Sequence, residues 1–150
     1  MTMTNFQSNV KEVKDATEKA LLRAAEVIGG TAEGYAKKLC RVDTGLLRNS
    51  ITHGLEGGKP SIMSYKADRG DGKGEYSGTI PKTGDQPTVV IGSNVEYAPY
   101  IELGTRARAE GANGEGLKSG IAPSPYLRPA IEDHKEEYKQ ILAAEFSGLK

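Results

Sequence analysis

Residues 6–40 read FQSNVKEVKDATEKALLRAAEVIGGTAEGYAKKLC, and their periodicity decides the class of fold. Phe6, Val10, Val13, Thr17, Ala20, Ala24, Val27 and Thr31 step by four and three, the spacing of one helix face. Leu21, Ile28, Ala32, Tyr35 and Leu39 widen the stripe toward the C-terminal half, while Lys, Glu and Asp fill the other side. Good helix formers occur throughout. The stretch predicts a long amphipathic N-terminal helix, with a kink or break where Gly29-Gly30 interrupts it.

Beyond that helix the pattern changes. Asp43-Thr44-Gly45 offers an N-cap hydroxyl or carboxylate before Leu46-Leu47-Arg48-Asn49, a short helix. Ser50 to Leu55 alternates β-branched and polar residues and reads as extended. Ser61–Tyr65 and Tyr76–Ile80 are weaker strand candidates on either side of a Gly-rich tip, and Thr88–Gly92 is the strongest strand in the chain. In the block Val95–Thr105, Pro99 suits the first turn of a short helix and Gly104 its stop. Pro129 stands near the start of a last helix whose apolar face is Ile131, Tyr138, Ile141, Leu142, Phe146 and Leu149, with Gly148 near its end. The expected architecture is α+β: a long N-terminal helix, a small antiparallel or mixed sheet, and a short helix and a C-terminal helix packed on the sheet.

The 150 residues suit a single domain, 1–150. Hydrophobic residues are 37% and aromatics 6%, so the core is modest for the length. Of nineteen glycines, thirteen fall between Gly54 and Gly84 or between Gly104 and Gly120, which predicts extended loops over 57–87 and 105–122. Twenty basic residues balance twenty acidic ones, which argues against a dedicated nucleic-acid binder. Apolar stretches fall short of the roughly 20 residues that span a bilayer. Met1 to Lys11 lacks the apolar centre of a signal peptide. A single cysteine, Cys40, forms no internal disulfide and suits a reducing compartment.

Catalytic, cofactor and metal signatures are wanting. His53 and His134 are the only histidines and no cysteine pair joins them, too few donors for a zinc site, and both read as partly exposed. Cys40 closes a helix beside Leu39 and Val42 and reads as a buried small hydrophobe. The run Asp68–Glu75 has Gly70 and Gly72 where a calcium loop needs ligands. Arg69-Gly70-Asp71 spells an adhesion tripeptide that recurs by chance, and Gly58-Lys59-Pro60 lacks the spacing of a phosphate loop. Among Glu96, Glu102, Glu132 and Asp133, Glu102 stands out. It follows Tyr97, Tyr100 and Ile101, so half-burial is expected, with an ion pair to Arg48 or Arg128.

Three blocks in order carry a resemblance: Val42-Asp43-Thr44-Gly45-Leu46-Leu47-Arg48-Asn49-Ser50-Ile51, Tyr97-Ala98-Pro99-Tyr100-Ile101-Glu102-Leu103-Gly104-Thr105, and Pro125-Tyr126-Leu127-Arg128-Pro129-Ala130. The sequence resembles the gene-ten-product family of HK-type lambdoid phages, tail-component or neck proteins of long-tailed phages. With the flanking helices the blocks cover most of the chain; the middle, Gly57 to Pro87, is longer and richer in glycine than the family pattern. The resemblance implies a structural virion protein, not an enzyme, without cofactor. It would form part of the head-to-tail connector, a neck or tail-completion ring around the DNA channel, assembled in the bacterial cytoplasm. Implied partners are further copies of the chain in a hexamer or dodecamer, a head-closure or portal-adaptor protein, and tail terminator or tube proteins. Phage DNA would pass without sequence-specific binding, and no membrane is involved. The matched positions Asp43, Thr44, Gly45, Leu46, Arg48, Ser50, Tyr97, Tyr100, Glu102, Gly104, Thr105, Leu127, Arg128 and Pro129 are the family-motif and assembly candidates. Lys59–Gln86 and Arg106–Ser119 are expected assembly arms. The alternatives are a tail terminator capping the tube, a small hydrolase using Glu102 with a histidine, and a DNA-binding module.

Overall fold

Helix α1 (Met3–Leu39) is unbroken over 37 residues, about 55 Å at the usual rise. The computed structural model describes residues 3–43, 45–56, 64–66, 73–75, 80, 87–105 and 120–149, with the backbone alone for 3–8, 64–66 and 73–75. The expected break at Gly29-Gly30 does not occur. Glycine keeps its amide and carbonyl and so continues the ladder, and Gly29 is used for close packing instead. A Cβ there would lie 2.4 Å from His53 Cδ2 and 3.1 Å from Val89 Cγ1.

After α1 come α2 (Leu46–Ser50), β1 (Thr52–Leu55), β2 (Ser64–Lys66), β3 (Lys73–Glu75), β4 (Val89–Gly92) and α3 (Ala98–Leu103), then α4 (Leu127–Glu132) and α5 (Lys135–Ser147). β1 and β4 pair antiparallel, Thr52 opposite Gly92 and Leu55 opposite Val89; β2 and β3 form a separate antiparallel pair. The second hairpin departs from expectation, because β3 falls at Lys73–Glu75 inside the Gly-rich tip. Ladder bonds are made by the backbone, which glycine also supplies, so pairing overrides propensity. Of Tyr76–Ile80 only Ile80 is described, outside any strand. The loops 57–87 and 105–122 fall largely outside the described residues.

The expected C-terminal helix is two helices. Asp133 and His134 form a turn, and the Tyr138 hydroxyl donates to Ala130 O at 2.5 Å. In a continuous helix that carbonyl would accept the amide of residue 134. His134 stacks on Tyr35 of α1, ring centroids 3.4 Å apart and 6° from parallel, and Tyr35 Oη donates to Glu137 Oε2 at 2.8 Å. α4 and α5 therefore have α1, rather than the sheet, as their principal neighbour. A two-stranded ribbon offers too little apolar area to seat them, and α1 offers a full face. The core gathers Ala36, Cys40, Leu47, Ile51, Val95, Ala98, Tyr126 and Ala130 from α1, α2, α3, α4 and the segments beside them.

Candidate assembly surface

The three sequence blocks meet around the α2–α3 corner. α2 starts at Gly45, in the N-cap position with φ 78° and no side-chain cap. The N-cap position thus falls one residue beyond the expected Asp43-Thr44. The left-handed turn itself places Gly45 O to accept the Asn49 N–H at 2.9 Å. Asp43 is exposed, and Thr44 lies outside the described residues. Ser50, buried at the end of α2, donates to Leu47 O at 2.7 Å and meets Ser93 Oγ at 2.5 Å, which ties α2 to the segment after β4.

Glu102 is half-buried, as expected, but its hydrogen bonds run to backbone amides. Oε2 accepts the N–H of Tyr126 at 2.7 Å and of Leu127 at 3.0 Å, and Oε1 accepts that of Arg128 at 3.1 Å. A helix leaves its first four amides without partners. In α4 these positions are Tyr126, Leu127, Arg128 and Pro129, and proline has no N–H. One carboxylate therefore satisfies every free donor at that helix start, from 24 to 26 residues away, and its charge favours the positive end of the helix. Arg128 contributes its amide. With both oxygens engaged, Glu102 acts as the cap of α4.

The chain after α3 is fixed just as closely. Gly104 has φ 75°, and a Cβ on it would meet Ile121 O at 2.7 Å and Pro123 Cδ at 2.8 Å. Thr105 N donates to Ile121 O, and Ile121 N to Thr105 Oγ1, both at 2.9 Å. Ser124 N donates to Ile101 O at 2.9 Å. The second and third blocks are thus one built unit.

Beneath them lies Tyr126, fully buried, its hydroxyl without a partner among the described residues. Burial, helped by Cys40, Glu102 and Tyr97, pushes the phenol far above its ordinary range. Unfolding then releases a proton once the pH exceeds the free phenol's value of about 10, so this contribution to stability is complete below that pH and falls above it. Tyr126→Phe is expected to leave stability unchanged or raise it by about 1 kcal/mol in urea denaturation, and to flatten the alkaline loss. Burial also pushes the Cys40 thiol up, against the lowering influence of Arg48 and with help from Glu102. Iodoacetamide is expected to leave Cys40 unmodified in the native protein and to label it on unfolding, read by mass spectrometry.

On the outside, Val42, Leu46, Tyr97, Tyr100, Ile101 and Ile121 line an open groove of about 950 Å³. Val42, Tyr97, Tyr100, Leu103 and Ile121 are all exposed large hydrophobics. Apolar side chains clustered in this way mark interaction surfaces. The structure brings together Asp43, Gly45, Leu46, Tyr97, Tyr100 and Thr105 on this groove. Leu127, Arg128 and Pro129 belong to the capped helix behind it.

A second cluster escaped sequence reading. His53, expected to be partly exposed, is buried on β1. Its Nδ1 faces Glu33 Oε2 at 2.6 Å, its Nε2 faces Glu26 Oε1 at 3.3 Å, and its amide donates to Glu33 Oε2 at 3.1 Å. Lys37 Nζ pairs with Glu33 Oε1 at 2.5 Å. The available signal was Glu26, Gly29-Gly30, Glu33 and Lys37 recurring on one face of α1, a notch between two carboxylates. Among the described residues, no group of three or more His, Cys, Asp or Glu side chains is arranged to hold a metal ion.

Fold and surface together define a small α+β protein whose built features are the Glu102 cap, the Thr105–Ile121 pairing and an apolar groove. Residues 4–104 match the model of the HK97-gp10-like family, described as Bacteriophage HK97-gp10, putative tail-component; the chain belongs to that family. No curated protein and no solved structure shows a significant match to it. Among the described residues, no helix is long and apolar enough to cross a membrane.

Proposed function

We propose that this chain is a structural virion protein of the head-to-tail connection, a neck or tail-completion subunit that assembles as a ring around the DNA channel. The observation that carries the reading is the exposed groove between α2 and α3, built from two of the family's sequence blocks and lined by Val42, Tyr97, Tyr100 and Ile121. Tyrosines suit such a surface, since each brings a large contact area at low conformational cost. The neutral charge fits a subunit that lines a channel without gripping phosphates, because gripping needs a basic excess and would hinder passage. Its neighbours in this reading are further copies of itself, the head-closure or portal-adaptor protein, and the tail terminator or tube. The expected assembly arms, Lys59–Gln86 and Arg106–Ser119, lie almost wholly outside the described residues and are part of the proposal.

Deletion of the gene from its parent phage, followed by negative-stain electron microscopy of the lysate, tests the reading. Filled heads beside separate tails of normal length are expected. Tails of irregular length would assign termination of the tube instead. Intact infectious particles would overturn the reading.

A further inference from the structure

Only the C-terminal half of α1 is covered by α5. That helix runs antiparallel to it, with Tyr35 bonded to Glu137 and, further along, Arg23 paired with Glu145 at 3.3 Å. α5 ends at Ser147, two residues past that pair. Upstream, residues 9–16 of α1 are all exposed, as are Glu18 and Lys19. The apolar stripe nevertheless continues. Val10 and Val13 are 55% and 65% exposed, in the same register as Ala20 and Ala24, which are completely buried. The uncovered stripe is a direct extension of an existing helix–helix seam, and its cover stops at the Ala20 turn.

The α2–α3 groove lies at the other end of the rod. Its wall at Arg41 and Val42 follows α1 directly, about 40 Å along the axis from Val13. α1 is unbroken between them, and Gly29 is packed against the anchored His53 ring. The free end therefore cannot fold back onto its own groove. An apolar stripe and an apolar groove at opposite ends of one rigid helix can meet only between copies.

We infer that the free N-terminal segment of α1, residues 9–19, seats its exposed Val10 and Val13 in the α2–α3 groove of the next copy. The inference rests on the ring reading and supplies its contact. A contact between two different patches repeats around a ring until every segment and every groove is filled. Pairing of two free segments would close as a dimer and leave Val42, Tyr100 and Ile121 in water. Both rims carry both signs, Arg41 and Asp43 at the groove and Lys14 and Asp15 on the helix, so no block of like charge opposes the contact.

The test mixes purified full-length Val13→Cys chains with purified Tyr100→Cys chains under copper-phenanthroline oxidation, with linked peptides identified by mass spectrometry. Native Cys40 is buried and stays silent. Disulfides joining positions 13 and 100 are expected in the mixture, and a chain carrying both substitutions should give a ladder ending in a closed ring. Val10→Asp with Val13→Asp should abolish the link and weaken assembly at least about tenfold, with the helical circular-dichroism signal unchanged because both sites are solvent-exposed. Position 13 linked mainly to position 13 would overturn the inference, as would a protein that is oligomeric by light scattering without the 13–100 link, or one that stays monomeric. The gene-deletion phenotype reads the connector role separately. A connector phenotype without the 13–100 link therefore fails this inference alone.

Discussion

Gly29→Ala is expected to lower the unfolding free energy by about 2–3 kcal/mol, although alanine is the better helix former by about 1 kcal/mol. The added methyl would sit 2.4 Å from His53 Cδ2 and 3.0 Å from Cγ, far inside contact distance. The ring cannot swing away cheaply, because Glu33 and Glu26 hold its two nitrogens and Val89 closes the remaining side. Relief would require either breaking those bonds or lifting β1 off α1. Gly30→Ala is the control. Its nearest neighbour is His53 Cε1 at 3.7 Å, an ordinary contact, and the position is exposed, so a gain of up to about 1 kcal/mol is expected. Urea denaturation of the two variants side by side decides the matter. Equal effects at both positions would mean that Gly29 is not a packing notch.

Glu102→Ala is expected to cost about 3 kcal/mol, a fall of roughly 6–12 °C in Tm for a chain of this size. The loss combines a helix cap with amides left unpaired, that of fully buried Tyr126 among them. Glu102→Gln keeps one acceptor oxygen but turns an NH₂ toward a backbone N–H, so about half the loss is expected. Glu102→Asp should not rescue, since the shorter side chain cannot bring both oxygens across the gap. Thermal melts of the three variants read the order directly. If Glu102→Gln melted like the native protein, the cap would not be what holds α4.

The two variants also separate fold from assembly. Glu102 and Gly29 hold the frame, whereas Tyr100, Val10 and Val13 lie on the exposed surfaces. Losses at Glu102 and Gly29 should appear in stability, and losses at the three exposed residues in association. Gly104→Ala belongs with the frame: its positive φ and the approach of Ile121 O to 2.7 Å make any side chain strained there.

The sequence by itself determined what depends on near neighbours. The four-and-three stripe from Phe6 to Thr31 fixed α1, the β-branched run fixed β4, and Pro99 with Gly104 bounded α3, all properties of residues within one or two turns of each other. The first two ordered blocks lie in the stretch, residues 4–104, that matches the family, because a local motif survives without knowledge of its partners; the third, Pro125–Ala130, lies beyond that match. Tertiary structure alone decided the rest, since each of those outcomes joins residues far apart in the chain. Tyr35 meets Glu137 across 102 positions and splits no pattern that periodicity could detect; Glu33 meets His53 across 20, and Glu102 meets Tyr126 across 24. Glycine at 29 looked like a weakness until β1 came to lie on it. Glu102 looked like half of an ion pair until α4 presented three amides, and burial turned His53 inward because two carboxylates on α1 were there to receive it.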